Sequence, residues 1–188
     1  MQSTASGSMP AGGTPMASTA GGERGAAQGT ALTHVRADGS AHMVDVSGKE
    51  VTSRTACASA QLHTSPEVTA LLGAGELPKG DALATARLAG IMGAKKTSDL
   101  VPLCHPLPLA KVTVDLDLDD PAPGVVTITA EVKTTSRTGV EMEALTAVST
   151  AALTLYDMIK AVDRAAVITE QKIVAKSGGR SGEWEREH

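Results

Sequence analysis

An α+β sandwich, with helices on one face of a four-stranded, mainly antiparallel sheet, is the fold class this sequence predicts. Three observations carry it. Apolar residues alternate strictly over 112–118 and again over 126–132; a helical stripe runs from Leu145 to Ile159; and the core has to be aliphatic. The 188 residues are 41% hydrophobic and 20% charged but include no Phe, one Trp and one Tyr. Val, Leu, Ile and Ala must therefore fill the interior. The missing aromatic anchors favour extra burial against a second subunit.

The elements follow in order. Residues 1–31 are dominated by Gly, Ala, Ser and Thr, and up to residue 30 hold no Leu, Ile or Val, so the segment reads as a disordered tail. The folded domain is expected over 32–183, with 184–188 as a C-terminal tail. Residues 50–63 alternate loosely, setting Ala56, Ala58, Ala60 and Leu62 opposite Thr55, Cys57, Ser59 and Gln61, as a strand of small residues does. Ser65-Pro66-Glu67 supplies an N-cap, an N1 proline and a first-turn acid for a short helix ending at Gly73. Asp81 caps a second helix, whose apolar face is expected at Ala84, Leu88 and Ile91, with Lys95 and Lys96 at its C-terminal end.

Val112, Val114, Leu116 and Leu118 share one face of the next strand. Val126, Ile128, Ala130 and Val132 repeat the pattern after a Pro/Gly turn at 119–124, giving a β-hairpin. A long helix is expected over 138–163. In it Leu145, Val148, Ala152, Leu155 and Ile159 are spaced by threes and fours, so one stripe faces the core. A last strand over 167–174 precedes a Gly/Ser-rich end. The order β, two helices, β, β, α, β is a split β-α-β arrangement of the ferredoxin-like kind.

Charge and composition exclude several classes of function. A net charge of −4 gives no electrostatic grip on nucleic acid. No apolar run is long enough to span a membrane. The two cysteines, Cys57 and Cys104, form no metal-spaced pair; a disulfide between them stays open, but a reduced, cytoplasmic protein is the plainer reading. An RNA-binding module of this fold would need aromatics on its central strands, and neither Tyr156 nor Trp184 is expected there. A small-molecule-sensing regulatory domain of the same fold is the rival that composition leaves standing.

Several chemically able residues fall outside the hydrophobic stripes. His105 sits in the loop Leu103-Cys104-His105-Pro106, and histidine is the residue type suited to proton exchange near neutral pH. Glu141 and Glu143 open the long helix, where its dipole favours carboxylates whatever their use. Two positions apart, they are expected to point to different sides, so that only one faces a given ligand. Asp157 and Lys160 share a face near the other end; a surface ion pair is the bland account, an acid/base pair the sharper one. Lys79 precedes the cap Asp81. Lys176-Ser177-Gly178-Gly179-Arg180 supplies backbone N–H groups and two cations of the kind that wrap phosphate. Each has a structural explanation taken singly; together they suit a polyanionic substrate undergoing proton transfers.

Seven stretches then resemble one family: His42-Met43-Val44-Asp45-Val46, Lys79-Gly80-Asp81, Ala84-Thr85-Ala86-Arg87, 99–107 with its Leu-Cys-His core, 138–146 with Gly-Val-Glu-Met-Glu, Tyr156-Asp157-Met158 and Ala175-Lys176-Ser177-Gly178-Gly179. The chain is similar over 32–183 to cyclic pyranopterin monophosphate synthases, also called molybdenum cofactor biosynthesis protein C. The resemblance implies a ferredoxin-like fold, a homohexamer built as a trimer of dimers, and release of diphosphate from a 3′,8-cyclised dihydro-GTP to form cyclic pyranopterin monophosphate. No resident cofactor or metal is implied; whether magnesium travels with the triphosphate stays open.

By position, the resemblance makes Asp157 the active-site acid and Lys79 and Lys160 catalytic lysines. Leu103, Cys104 and His105 with Met142 and Glu143 become substrate-binding residues. Lys49, Arg54 and Lys176 are the candidates for the triphosphate. Lysines are expected to reach an acid/base pKa by burial beside another cation.

Length bears on assembly. Glu143 and Asp157 lie about 21 Å apart along a helix rising 1.5 Å per residue. One compact centre cannot touch both from a single chain, so composite sites at a dimer interface are expected. Mixing Lys79→Ala with Asp157→Ala chains should then restore part of the activity.

Overall fold

The computed structural model describes residues 38–187, so the expected 1–31 tail and the expected start of the domain at residue 32 lie outside the described residues. The elements are β1 (Thr52–His63), α1 (Pro66–Ala74), α2 (Ala82–Ala94), α3 (Thr97–Leu100), β2 (Leu109–Leu118), β3 (Val125–Ser136), α4 (Glu141–Ile159), β4 (Val167–Ser177) and β5 (Trp184–Glu185). One antiparallel sheet runs in the order β2-β3-β1-β4-β5, and the first four strands keep the split β-α-β arrangement.

β1 is the central strand, paired along its length with β3, from Thr52 opposite Ser136 to His63 opposite Val125. Its inward positions Ala56, Ala58, Ala60 and Leu62 are fully buried. Three alanines in a row bring α4 close to the sheet. The α4 stripe answers with Val148, Ala152, Leu155 and Ile159, also fully buried, while Leu145 is packed at the margin. Burying four such side chains removes apolar surface worth roughly 1.5–3 kcal/mol each for the larger ones. The aliphatic core is as the composition requires.

Three expectations are corrected. The first concerns the buried face of α2, which is Ala82, Ala86, Gly90, Gly93 and Ala94, while Leu88 and Met92 are 60% and 59% exposed. A Cβ added at Gly90 would crowd the Ala147 carbonyl and Ala151, and one at Gly93 would collide with Thr150. Backbone proximity to α4, which only glycine and alanine allow, outweighs the larger side chains. Second, α4 spans Glu141–Ile159 rather than 138–163, because Thr138 and Gly139 belong to the corner entering it. Third, the expected C-terminal tail starts with a strand. Trp184 and Glu185 pair with Lys176 and Ala175 on the β4 edge, and the Arg186 guanidinium lies 5.4 Å from the centre of the Trp184 ring.

α1 ends one residue beyond the expected Gly73, at Ala74, with Ser65 accepting from the Val68 N–H as its cap. The cap of α2 is Asp81, which accepts from the Ala84 N–H at 2.9 Å. Among the described residues no helix is long and apolar enough to cross a membrane.

Candidate active site

At the N-terminal end of α4, two hollows share a wall. The smaller, about 220 Å³, is lined by Val44 and Val46 of the arm preceding β1, by Leu103, Cys104, His105 and Leu107, and by Met142 and Glu143 of the first helical turn. The sequence set Leu103/Cys104/His105 and Met142/Glu143 is therefore brought together. Loop 101–108 carries the first set because Cys104 N–H bonds the Val101 carbonyl, closing a turn after α3. Glu143 is 4% exposed, and burial pushes its carboxyl above the ordinary range, with Glu141 adding to the rise. Burial, then Glu143, pushes the Cys104 thiol up as well.

The larger hollow, about 750 Å³, lies between the arm, β1, the β3–α4 corner and the β4–β5 loop. It is lined by five cations, Lys49, Arg54, Arg137, Lys176 and Arg180, and by only two carboxylates, Glu50 and Glu141. Glu141 bridges Lys176 at 2.9 Å. Among the described residues no carboxylate pairs with Lys49, Arg54, Arg137 or Arg180. On a chain of net charge −4, this is a local concentration of uncompensated positive charge. Arg54 donates from Nε to the Ser136 carbonyl at 3.0 Å and from Nη2 to the Arg137 carbonyl at 3.2 Å. Gly178 and Gly179 pass so close that a Cβ there would strike the Ser53 carbonyl or the Arg54 guanidinium. Both adopt positive φ, 94° and 71°, which glycine tolerates without strain.

The two hollows share Lys49, Thr138, Gly139 and Glu141. The expectation that only one of Glu141 and Glu143 faces a ligand space is corrected, since both line the smaller hollow. At the first helical residue, the Glu141 side chain folds back over Gly139, so helix-face periodicity does not govern it. Sequence reasoning also missed Arg137. Its signal was position, at the corner between a strand end and the Thr138-Gly139 entry to the helix.

A third grouping stands at the opposite end of α4. Asp157, in the last turn, accepts from Lys79 Nζ at 2.8 Å on one oxygen and from Lys160 Nζ at 2.7 Å on the other. Lys79 also donates to the Asp157 backbone carbonyl at 2.7 Å, satisfying one of the open carbonyls of a helix end. The three expected catalytic residues thus meet, across 78 positions of sequence in the case of Lys79. Their side chains are 41–54% exposed. Lys160 and then Lys79 hold the Asp157 carboxyl down to about 2, and Asp157 raises the Lys160 ammonium. Lys160 does not show the expected lowering of a lysine pKa by burial beside a cation; the Asp157 carboxylate raises it, and its side chain stays half in solvent.

One unbroken helix separates this cluster from the two hollows, by about 21 Å from Glu143 to Asp157 at 1.5 Å per residue. Lys79 and Asp157 belong to the same cluster of the same chain, so the expected rescue between Lys79→Ala and Asp157→Ala chains is corrected too. Each would carry a broken cluster, and rescue needs one lesion at each end of α4. Among the described residues no group of three or more His, Cys, Asp or Glu side chains is placed to hold a metal ion. Both cysteines are free.

The model of the MoaC family matches residues 43–179, which include all three groupings except Arg180 and Ser181 of the larger hollow. The chain belongs to the MoaC family. A relative named cyclic pyranopterin monophosphate synthase from Corynebacterium efficiens is 63% identical over 153 residues, covering 81% of this chain and 97% of the relative. One of the same name from Streptomyces avermitilis is 62% identical over 155 residues, covering 82% and 89%. One from Dinoroseobacter shibae is 60% identical over 156 residues, covering 83% and 98%. MoaC membership thus extends over the folded domain from the arm through the Gly178-Gly179 loop.

Proposed function

We propose that the protein is a cyclic pyranopterin monophosphate synthase, a lyase of molybdenum cofactor biosynthesis. It would convert (8S)-3′,8-cyclo-7,8-dihydroguanosine 5′-triphosphate to cyclic pyranopterin monophosphate and diphosphate. The observation that carries this reading is the shared wall between a cation-lined cleft and a smaller hollow holding a buried carboxylate. A nucleoside triphosphate has this form, an anionic chain joined to a hydrogen-bonding base. The names of the relatives agree with it.

In this reading His105 and Glu143, with Leu103, Cys104 and Met142, hold the base portion. A Glu143 carboxyl with a raised pKa can exchange a proton with a ring nitrogen closer to neutrality than an exposed acid can. Lys49, Lys176 and Arg180 meet the triphosphate, with Arg54 adding charge from behind the wall. As a sugar hydroxyl oxygen attacks the α-phosphorus and its proton passes to the departing diphosphate, the bond between the α-phosphorus and the oxygen bridging to the β-phosphate breaks and diphosphate leaves with that electron pair. Cations placed at these oxygens stabilise the charge that develops there. Opening and rebuilding the purine into a pterin needs several proton transfers first, and these fall to Lys79, Asp157 and Lys160. Asp157 keeps both ammonium groups in place as proton donors. Enclosure of the cluster against a partner and substrate would bring a lysine pKa down toward the working pH.

Because that cluster lies a helix length away, the cluster facing one chain's cleft comes from a second copy. A homohexamer formed as a trimer of dimers satisfies this, with the site at a subunit interface. The reading needs no resident cofactor, leaves any magnesium to arrive with the triphosphate, includes neither nucleic acid nor membrane as a partner, and places the enzyme in the cytoplasm, where two free cysteines stay reduced. Purified protein given the cyclised nucleotide should release diphosphate and the pterin product. Absence of turnover by unmodified protein sinks the assignment.

A further inference from the structure

The arm that walls both hollows has no helix or strand of its own between residues 42 and 51. Among the described residues, hydrogen bonds at 44–49 are few. Ser47 N–H bonds the Asp45 carboxylate at 2.8 Å, Lys49 N–H bonds the Val46 carbonyl at 3.0 Å, and Arg137 Nε donates to the Lys49 carbonyl at 3.1 Å. Only the last comes from outside the arm. Its donor is itself fixed, since Arg54, anchored on the central strand, holds the carbonyls of Ser136 and Arg137. A chain of two guanidiniums therefore links the middle of the sheet to Lys49, the one described residue of the arm that lines both hollows.

We propose that Arg137 is a positioning residue: its Nε pins the Lys49 carbonyl, and through it the arm and the Lys49 ammonium, against the β3–α4 corner. Nothing in this role requires the Arg137 charge. It requires a donor at the end of three side-chain carbons, held in line with a backbone carbonyl. The consequence rests on the proposed function only in naming the nucleotide; the binding of a polyphosphate to the cation-lined cleft is enough to test it. With the pin removed, Lys49 spends most of its time away from the cleft, and ordering the arm has to be met from binding energy.

Three substitutions at one position separate pinning from charge. Arg137→Gln keeps an N–H donor at the place of Nε and loses the charge. Arg137→Lys keeps the charge and moves the donor one atom farther out. Arg137→Leu loses both. Affinity for inorganic triphosphate is measured by calorimetry on the full chain, and KM and kcat are measured with the cyclised nucleotide. The leucine variant should bind inorganic triphosphate roughly tenfold more weakly and raise KM by a similar factor, with kcat within about twofold. The glutamine variant should lose no more than about threefold. In a Lys49→Ala background, Arg137→Leu should add less than about twofold, because the group it positions is already gone.

Glutamine as weak as leucine, with lysine at full affinity, would show that Arg137 acts by charge and would overturn the proposal. So would additive losses in the Lys49→Ala background. Should the leucine variant fail to melt cooperatively, the glutamine–lysine contrast and Arg137→Gln,Lys49→Ala carry the same decision. Triphosphate binding without turnover by unmodified protein would refute the functional reading while leaving this inference to stand or fall on binding alone.

Discussion

At the N-terminal end of α4, four cations stand around a cleft with no carboxylate partner among the described residues, whereas at its C-terminal end one carboxylate is shared by two lysines. The first arrangement repels itself until an anion arrives, so it is built for binding. The second is internally neutralised to within one charge and needs no ligand to hold its shape. Burial differs in the opposite sense. Among the described residues the one buried carboxyl, Glu143, lies at the N-terminal end, while the Asp157 cluster stands half in solvent. A solvated cluster in which Asp157 raises the Lys160 ammonium is a poor proton-transfer device until something covers it. The comparison teaches that one chain carries two charged groupings in different states of pairing and burial.

The largest expected effect is at the exposed cluster. Asp157→Ala should lower kcat about a thousandfold, in the range of a lost general acid/base arrangement, while inorganic triphosphate binds as before. A matching loss of triphosphate affinity would break the division of labour. At the other end, Lys176→Met should raise KM roughly tenfold, with a steeper loss as salt rises, and change kcat far less. Equal losses in kcat from both variants would merge the two regions into one.

The smallest expected effect concerns stability. Glu143 has a folded pKa above its ordinary 4.5, so its ionisation opposes folding. With respect to this group, stability is fully present below pH 4.5 and is lost as pH rises through the raised value. Glu143→Gln should therefore raise Tm by about 3 °C at pH 7, and the gap should close below about pH 4. Thermal melts across that range decide it. A lower Tm for glutamine at every pH would mean that the carboxylate is stabilised by a partner.

Much of this molecule is legible in sequence because its signals are local. Alternation over 112–118 and 126–132, the 3-4 stripe of α4, and the caps Ser65 and Asp81 each depend on neighbours a few residues away, and each is in place. The α2 face was not legible. Its orientation is decided by how closely Gly90 and Gly93 approach α4, a property of two helices rather than of one. Trp184 and Glu185 pair with an edge that the sequence does not announce. For the candidate site, the motifs named residues that the fold brings together, but the sharing of Asp157 between Lys79 and Lys160 depends on packing across 78 positions, and the bond from Arg137 on a carbonyl in another segment.

The central claim, that one subunit's binding end works with another's lysine cluster, is tested most directly by mixing two inactive chains. Lys79→Ala and Glu143→Ala proteins are unfolded together, refolded at equal concentration and assayed for diphosphate release. If dimers form at random and sites are shared, half the dimers are mixed and each has one intact site of two, so activity should return to about a quarter of that of unmodified protein. Activity no greater than the sum of the two separate variants would contradict the account.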